Sequence, residues 1–189
     1  MRNILVVSLL LAIAPAINGC APVVFGGAAA TGVMMGEDRR TVGTIAEDEG
    51  IELKAASRIG EKFPTAHINV TSYNRMLLLT GEAPDAAAKS GMEKIARAVE
   101  NVRGVYNEIQ IAGNSSLSAR ANDAYLTSKV KARFVDAQKF NPLHVKVVTE
   151  ANTVYLIGLV KRQEANDATE IARTTSGVQR VVRVFEYLD

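Results

Sequence analysis

The sequence contains one structural unit twice, and this duplication limits the available folds more than any other feature. Residues 66–71 (AHINVT) align with residues 143–148 (LHVKVV) at an offset of 77. The alignment continues at offsets of 75 and 76 through the flanking segments, as expected if surface loops differ by one or two residues. Such self-similarity indicates repeated supersecondary units. The 189 residues are therefore predicted to form domains at 46–112 and 119–189, with a linker at 113–118.

Both units show the same succession of hydrophobic patterns. An apolar residue at every fourth position predicts an amphipathic helix at 47–60 and at 121–136. Two alternating strands around a short polar turn follow, and then come a second helix and a last strand. The second helices are predicted at about 85–100 and 164–175, and the last strands at 105–111 and 181–188. This order predicts an α+β fold in which two helices cover one face of a three-stranded mixed sheet.

Polar residues suggest where each first helix begins. Glu47-Asp48-Glu49 is interpreted as an acidic first turn that complements the helix dipole. Asn122 or Asp123 is predicted to cap the first helix of the second unit. Residues 37–46 are polar, so they are expected to be extended.

The first twenty residues predict export and lipid attachment. Arg2 precedes an apolar run at 4–13, which is too short to span a bilayer and is typical of a secretory signal. Ile17-Asn18-Gly19-Cys20 resembles a lipobox, which implies cleavage before Cys20 and attachment of fatty acyl chains such as palmitate. The alternatives are a buried N-terminal helix at 1–20 and an unmodified buried thiol at Cys20.

The residues after the lipobox indicate where the anchored chain resides. Ala21, not Asp, follows the cysteine, so the inner-membrane retention signal of bacterial lipoproteins is missing. The resemblance therefore implies the periplasmic face of the outer membrane. Residues 1–19 are interpreted as a signal peptide and residues 20–45 as a lipidated flexible tether, rich in Ala and Gly up to residue 36.

Candidate residues for catalysis or metal binding do not form a convincing set in the sequence. His67 and His144 occupy equivalent places, which indicates shared ancestry, and with one Cys they cannot form a dedicated zinc cluster. Ser115-Ser116 lacks the Gly-x-Ser-x-Gly pattern of a hydrolase, and Glu164 with Asp167 is interpreted as a solvated helix face. A net charge of +2 does not argue for nucleic acid. We expect no catalytic residues, no metal and no cofactor.

The order of elements, the glycine that closes the second strand (Gly81 and Gly158) and the Gly/Val-rich entry into the last strand resemble the BON domain. The segment 38–44 (DRRTVGT) and the lipobox extend the resemblance to dual BON-domain outer-membrane lipoproteins, over nearly all of the mature chain. The resemblance implies no catalytic activity, binding of anionic phospholipid (phosphatidylglycerol, cardiolipin), enrichment at division sites and support of outer-membrane integrity.

The two units differ in charge. Residues 46–112 carry 8 basic and 10 acidic side chains, whereas residues 119–189 carry 11 basic and 8 acidic side chains. Cations near an anionic lipid surface are attracted by about 1 kcal/mol each. The second unit is therefore the better candidate for contact with anionic lipid.

The first helix of the second unit has a second apolar face. Leu126, Val130 and Phe134 match the core positions of the first unit and are expected to be buried. Tyr125 and Val135 replace Gly50 and Gly60 on another face, with cations beside them (Lys129, Lys131, Arg133). Such a ridge suits a membrane interface. The residues predicted to bind phospholipid are Tyr125, Ser128, Lys129, Ala132, Arg133 and Val135.

The resemblance places the family's lipid-binding helix on this same segment, with Tyr125 at the position of a Trp. Two alternatives stay open. Tyr125 and Val135 are equally suited to an interdomain contact with the first unit. The chain is also suited to be an adaptor that docks an envelope enzyme, a regulator of a cell-wall amidase or the outer-membrane assembly machinery.

Overall fold

The computed structural model describes residues 38–189, and the signal peptide, Cys20 and most of the predicted tether lie outside this range. Two units of helix, strand, strand, helix and strand follow each other, as predicted from the duplication. The elements of the first domain are α1 (Val42–Lys62), β1 (His67–Tyr73), β2 (Met76–Ala83), α2 (Ala86–Arg97), β3 (Gly104–Asn107) and β4 (Gln110–Ile111). Those of the second domain are α3 (Leu117–Ala137), a 3₁₀ turn (Pro142–His144), β5 (Val145–Glu150), β6 (Thr153–Val160), α4 (Arg162–Arg173) and β7 (Arg180–Tyr187).

Each domain has a mixed sheet, which confirms the predicted fold class. A two-residue turn joins β1 to β2 and β5 to β6 as antiparallel hairpins. The last strand then pairs in parallel with the central strand, β3 and β4 with β2 and β7 with β6. A parallel neighbour requires a crossover, and α2 or α4 supplies it.

The predicted helix stripes form the two domain cores. Ile51, Ala55 and Ile59 of α1 are buried with the helix-facing side of the first sheet. The equivalent stripe of α3 (Leu126, Val130 and Phe134) is buried in the second domain. Each helix is therefore held by its apolar face, which explains why periodicity located both helices.

The two first helices begin earlier than predicted, and at equivalent positions. Thr41 caps α1, its hydroxyl accepting a hydrogen bond from the Thr44 N–H at 3.1 Å. Ser116 caps α3 in the same way, accepting from the Ala119 N–H at 3.2 Å. The prediction that residues 37–46 are extended was wrong for residues 42–46, which are helical. The prediction that Asn122 or Asp123 caps the first helix of the second unit was also wrong. Hydroxyl side chains are strong caps, and the first turns that follow them lie outside the buried stripes, so the periodicity did not mark them.

The last strand of the first domain was predicted to be continuous and is interrupted. Pairing with β2 stops after Asn107 and resumes at Gln110 in the same register. Between these residues Ile109 is buried in the first core. Residues 108 and 109 are therefore not part of the regular strand, and Ile109 packs into the core instead.

The two domains pack together through the sheet faces that the helices leave uncovered. Tyr73 and Leu78 of the first sheet contact the second sheet in a third apolar cluster. The second sheet contributes Tyr155, Ile157 and Val184 to it, and all five side chains are buried. Ion pairs such as Arg103 to Glu186, at 3.0 Å, cross the edge of this contact. The interface between the domains therefore consists of apolar residues from both sheets.

Candidate functional site

The solvent face of α3 carries the side chains singled out from the sequence. Tyr125, Ser128, Ala132 and Val135 are all exposed, and the exposed fractions of Tyr125 and Val135 are 63 % and 60 %. They lie on one face because spacings of three, four and seven residues return to the same side of a helix. Neither apolar side chain is buried against the first domain, so an interdomain contact does not account for them.

Sequence reasoning missed one apolar residue of this face. Leu117, the first residue of α3, is 82 % exposed and lies on the same side as Tyr125 and Val135. The sequence pattern places Leu117 in the linker at 113–118, because the periodicity marks this helix only from residue 121. The hydroxyl cap at Ser116 was the signal that would have included it. We call Leu117, Tyr125, Ser128, Ala132 and Val135 the α3 ridge, and it spans roughly 27 Å at 1.5 Å per residue.

The cations beside the ridge differ in how they are held. The Lys129 ammonium lies 5.9 Å from the centroid of the Tyr125 ring and donates to the Ser176 carbonyl at 2.9 Å. This contact keeps a positive charge next to the exposed aromatic ring. Lys131 is exposed, and within residues 38–189 no hydrogen bond or ion pair engages its ammonium group.

Arg133 has a structural task besides its charge. Its guanidinium donates to the Ile171 carbonyl at 2.9 Å and to the hydroxyls of Thr175 and Thr174 at 2.8 and 3.2 Å. These acceptors lie at the C-terminal end of α4, where carbonyl groups lack partners and favour a cation. Arg133 therefore joins α3 to α4, and its charge has less freedom to meet a ligand than that of Lys131.

The matching face of α1 provides an internal comparison. Gly50 and Gly60 leave open space where α3 has Tyr125 and Val135. Leu53, which matches Ser128, is nevertheless 74 % exposed, and sequence reasoning did not single it out. Val42, which matches Leu117, is 56 % exposed as well. The face of α1 therefore carries two exposed aliphatic side chains without an aromatic ring, whereas that of α3 carries Tyr125 with Lys129 beside it.

A short segment before α1 fastens the two domains beside this site. Arg39 donates to both carboxylate oxygens of Glu164, at 2.6 and 2.8 Å, and to the Leu159 carbonyl at 2.8 Å. The hydrogen bonds from Arg39 lower the pKa of Glu164 to about 2. The interpretation of Glu164 as part of a solvated helix face was wrong, because a residue 125 positions earlier binds it. Asp167, the other residue of that face, forms an ion pair with Lys139 at 3.3 Å.

The adjacent arginine holds the same segment to the first domain. Arg40 donates to Asp48 at 2.9 Å and to Asp38 at 2.8 Å. Its guanidinium also lies 3.9 Å from the centroid of the Tyr73 ring. We call Asp38, Arg39 and Arg40 the clamp, since Arg40 binds the first domain and Arg39 binds the second.

The acidic cluster at 47–49 has a role other than the predicted one. Because α1 starts at Val42, these residues lie in its second turn, and Asp48 is buried. Asp48 accepts from the Ser72 hydroxyl at 2.6 Å and from the N–H groups of Asn74 and Arg75 at 2.8 and 2.7 Å. Its carboxylate therefore provides hydrogen-bond acceptors for the N–H groups of the hairpin turn.

The two histidines lie in different surroundings. His67 begins β1, whereas His144 ends the 3₁₀ turn and lies 3.6 Å from the Glu164 carboxylate. Among the residues that the structure describes, no three or more His, Cys, Asp or Glu side chains converge in a way that could hold a metal ion.

None of the helices between residues 38 and 189 combines the length and apolar character needed to cross a membrane.

Known proteins resemble the chain along most of its length. The BON domain model matches residues 47–113 and 122–189. The chain is 36% identical over 177 residues to the outer membrane lipoprotein DolP of Haemophilus influenzae, covering 92% of this chain and 91% of that protein. It is 32% identical to the 21 kDa hemolysin of Actinobacillus pleuropneumoniae, covering 80% and 79% of the two chains. It is 30% identical to osmotically-inducible protein Y of Escherichia coli, covering 74% and 72%.

Proposed function

The chain belongs to the dual BON-domain family of envelope lipoproteins, and from this membership we propose that it is a non-enzymatic, lipid-anchored outer-membrane protein that binds anionic phospholipid through α3. Cys20 is the proposed anchor, and the periplasmic face is the proposed side, since Ala21 follows the lipobox. Support for outer-membrane integrity and enrichment at division sites are part of the same proposal.

One observation carries the proposed lipid contact. Tyr125 is 63 % exposed, beside the Lys129 ammonium, on a helix whose opposite face already fills a core. A single exposed apolar residue is ordinary, but several on one helix face, as Tyr125 has with Leu117 and Val135, are typical of interaction sites. Tyrosine suits a membrane interface, because its ring is apolar while its hydroxyl stays in contact with water.

Charge and anchoring support the same proposal. The second domain has a net charge of +3 from 11 basic and 8 acidic side chains. An anchor on the same chain raises the effective concentration of the ridge at the membrane, so a weak contact suffices. A weak contact also lets the distribution of the protein follow the local content of anionic lipid.

The decisive experiment compares equivalent positions of the two helices. Residues 21–189, which lack the signal and the acylated cysteine, are floated with vesicles of phosphatidylglycerol and phosphatidylcholine. We expect binding to the anionic vesicles that decreases with salt. Tyr125→Glu should reduce binding at least about tenfold, since it places an anion at the interface. Leu53→Glu is the matched control and should bind like the parent protein.

Equal binding by the Tyr125→Glu variant and the parent would refute the assignment of the site. Circular dichroism and thermal unfolding of both variants separate loss of binding from loss of folding. Both residues are exposed, so both substitutions should leave the unfolding temperature nearly unchanged.

An adaptor that docks envelope proteins is the second candidate, and the exposed Leu53 of the first domain favours it. If Leu53→Glu impairs outer-membrane integrity in cells while Tyr125→Glu does not, the adaptor function is the better account. An even envelope distribution of a fluorescent fusion would contradict enrichment at division sites.

A further inference from the structure

A groove between the two domains adjoins the ridge. It has a volume of about 440 Å³, within the range of roughly 300–1,000 Å³ that is common for ligand sites. Asp38 and Arg40 of the clamp and Tyr73 form one side of it, whereas α3 and the 142–146 segment form the other. The groove therefore exists only while the two domains are docked.

The walls of the groove are largely apolar. Tyr73, Phe134 and Val145 are buried and line the interior. Val135 and Leu143 stand at the groove with exposed fractions of 60 % and 47 %. Two half-exposed aliphatic side chains beside a buried aromatic interior provide a surface on which a hydrocarbon chain would gain apolar contact.

Cations outnumber anions along the groove. Of the charged residues between 38 and 189, Arg40, Lys131 and Lys146 line it together with one carboxylate, Asp38. Arg40 and Asp38 bind each other at 2.8 Å, and Lys146 binds Glu52 of the first domain at 2.8 Å. The exposed Lys131 lies on α3, close to the ridge, and is best placed to meet a phosphate group.

The groove is continuous with the proposed membrane-contact surface. Val135 belongs to the α3 ridge and also lines the groove. A phospholipid beside Val135 would therefore contact the ridge and the groove together. Apolar interior, cationic margin and contact with the ridge together favour a single amphiphile with one acyl chain and an anionic head.

We propose that this groove binds one acyl chain of an anionic phospholipid, with its phosphate beside Lys131. This inference rests on the proposed function, because it specifies how the same surface would engage a single lipid molecule. The ridge then contacts the plane of the membrane, while the groove holds an individual lipid.

The experiment uses a monomeric probe, so that groove and ridge are measured separately. Residues 21–189 are titrated with dodecyl phosphate below its micelle concentration, followed by calorimetry and by methyl NMR of Val145 and Leu143. We expect saturable binding of one molecule per chain. Dodecyl maltoside, with an uncharged head, and inorganic phosphate, without a chain, should each bind at least about tenfold more weakly.

Variants at the two surfaces keep the inference distinct from the proposed function. Leu143→Asp, at a half-exposed position, should weaken dodecyl phosphate binding about tenfold or more, and Lys131→Glu should weaken it severalfold. Tyr125→Glu should keep the binding of dodecyl phosphate while losing that of vesicles. If the parent binds vesicles but not dodecyl phosphate, the groove is refuted and the proposed function stands. If the parent binds dodecyl phosphate but not vesicles, the ridge is refuted as a membrane contact and the groove stands.

Other occupants would be visible in the lipid-free protein. Groove methyl signals that shift with protein concentration would show that a second copy fills the groove. Nuclear Overhauser contacts from those methyls to residues 21–37 would show that the chain's own segment fills it. Either result, or dodecyl phosphate binding unchanged by Leu143→Asp, would overturn the proposal.

Discussion

Asp48 and Asp123 occupy equivalent positions in the two domains, and each carboxylate accepts hydrogen bonds from both N–H groups at the tip of its own β-hairpin. Asp48 accepts from Asn74 and Arg75 at 2.8 and 2.7 Å. Asp123 accepts from Ala151 and Asn152, each at 2.9 Å. All four turn residues have positive φ, the conformation of the tight hairpin turn that matches strand twist. The contact fixes the hairpin to the first helix of each domain.

Removing either carboxylate should lower the unfolding free energy, and the loss should be larger for Asp48 than for Asp123. Asp48 also accepts hydrogen bonds from the Ser72 hydroxyl and from Arg40. Within residues 38–189, Asp123 accepts no equivalent side-chain hydrogen bonds. We expect Asp48→Ala to cost about 3 kcal/mol of unfolding free energy and Asp123→Ala about 2 kcal/mol, as for buried groups that lose charged partners. Urea denaturation measures both, with the exposed Asp136→Ala as control. An equal, small effect of all three would contradict this role.

The ion pair of the clamp should make stability depend on pH in an acidic range. The folded-state pKa of Glu164, about 2, lies below its ordinary value of 4.5. The pair therefore contributes fully above about pH 4.5, and its contribution is lost as the pH falls towards 2. Arg39→Gln should lower the unfolding free energy by about 2 kcal/mol at neutral pH, and this difference should shrink across that range.

Arg173→Gln is the control for the clamp. Arg173 pairs with Glu170 at 2.8 Å, but both side chains are exposed, and such pairs contribute less than about 1 kcal/mol. Denaturant titrations between pH 2 and 7 should show the pH-dependent difference for Arg39→Gln only. A constant difference at all pH values would disprove the link to Glu164.

The sequence pattern ends the second strand at Gly81 and Gly158, but in the structure each strand continues two residues further, to Ala83 and Val160. These two glycines should be intolerant of any side chain. A Cβ atom on Gly81 would lie 2.0 Å from the His67 carbonyl oxygen, and one on Gly158 would lie 2.1 Å from that of His144. Both obstacles are backbone, which cannot move aside. Gly81→Ala and Gly158→Ala should each cost more than about 2 kcal/mol, as expected for overpacking against backbone.

Gly50→Ala gives the opposite expectation. Gly50 lies inside α1 with open space around it, and alanine favours a helix by about 1 kcal/mol over glycine. The unfolding temperature should therefore rise for Gly50→Ala and fall for Gly81→Ala and Gly158→Ala. A fall for all three would show that the steric argument is incomplete.

A larger aromatic ring at the ridge should strengthen lipid binding. Tyr125→Trp adds apolar area at a position that is 63 % exposed, so folding should be unaffected. The added area gives about 1 kcal/mol when it enters an interface, or severalfold in affinity. Co-sedimentation with phosphatidylglycerol vesicles measures the change. Unchanged or weaker binding would argue that the ring does not enter the membrane.

Much of the fold was predictable, because it depends on local periodicity. Helices α1 and α3 were found from Ile51, Ala55 and Ile59 and from their counterparts, since an amphipathic stripe is visible along the chain. Their starts were missed, because the first turns of both helices lie outside the buried stripe and do not extend its period. The sequence placed Tyr125 outside the core stripe but left an interdomain contact equally open, and only the structure shows the ring exposed. Leu117 was missed together with the helix start.

By itself, the sequence determined the duplication, the α+β order of each unit and the separate apolar face of α3, since all three are written in the spacing of residues close along the chain. Only the tertiary structure decided that the domains dock sheet to sheet, that Arg39 binds Glu164 and that a groove opens between the clamp and α3. These features join residues far apart in sequence. Their partners are selected by packing and charge in three dimensions, for which a single sequence has no local pattern.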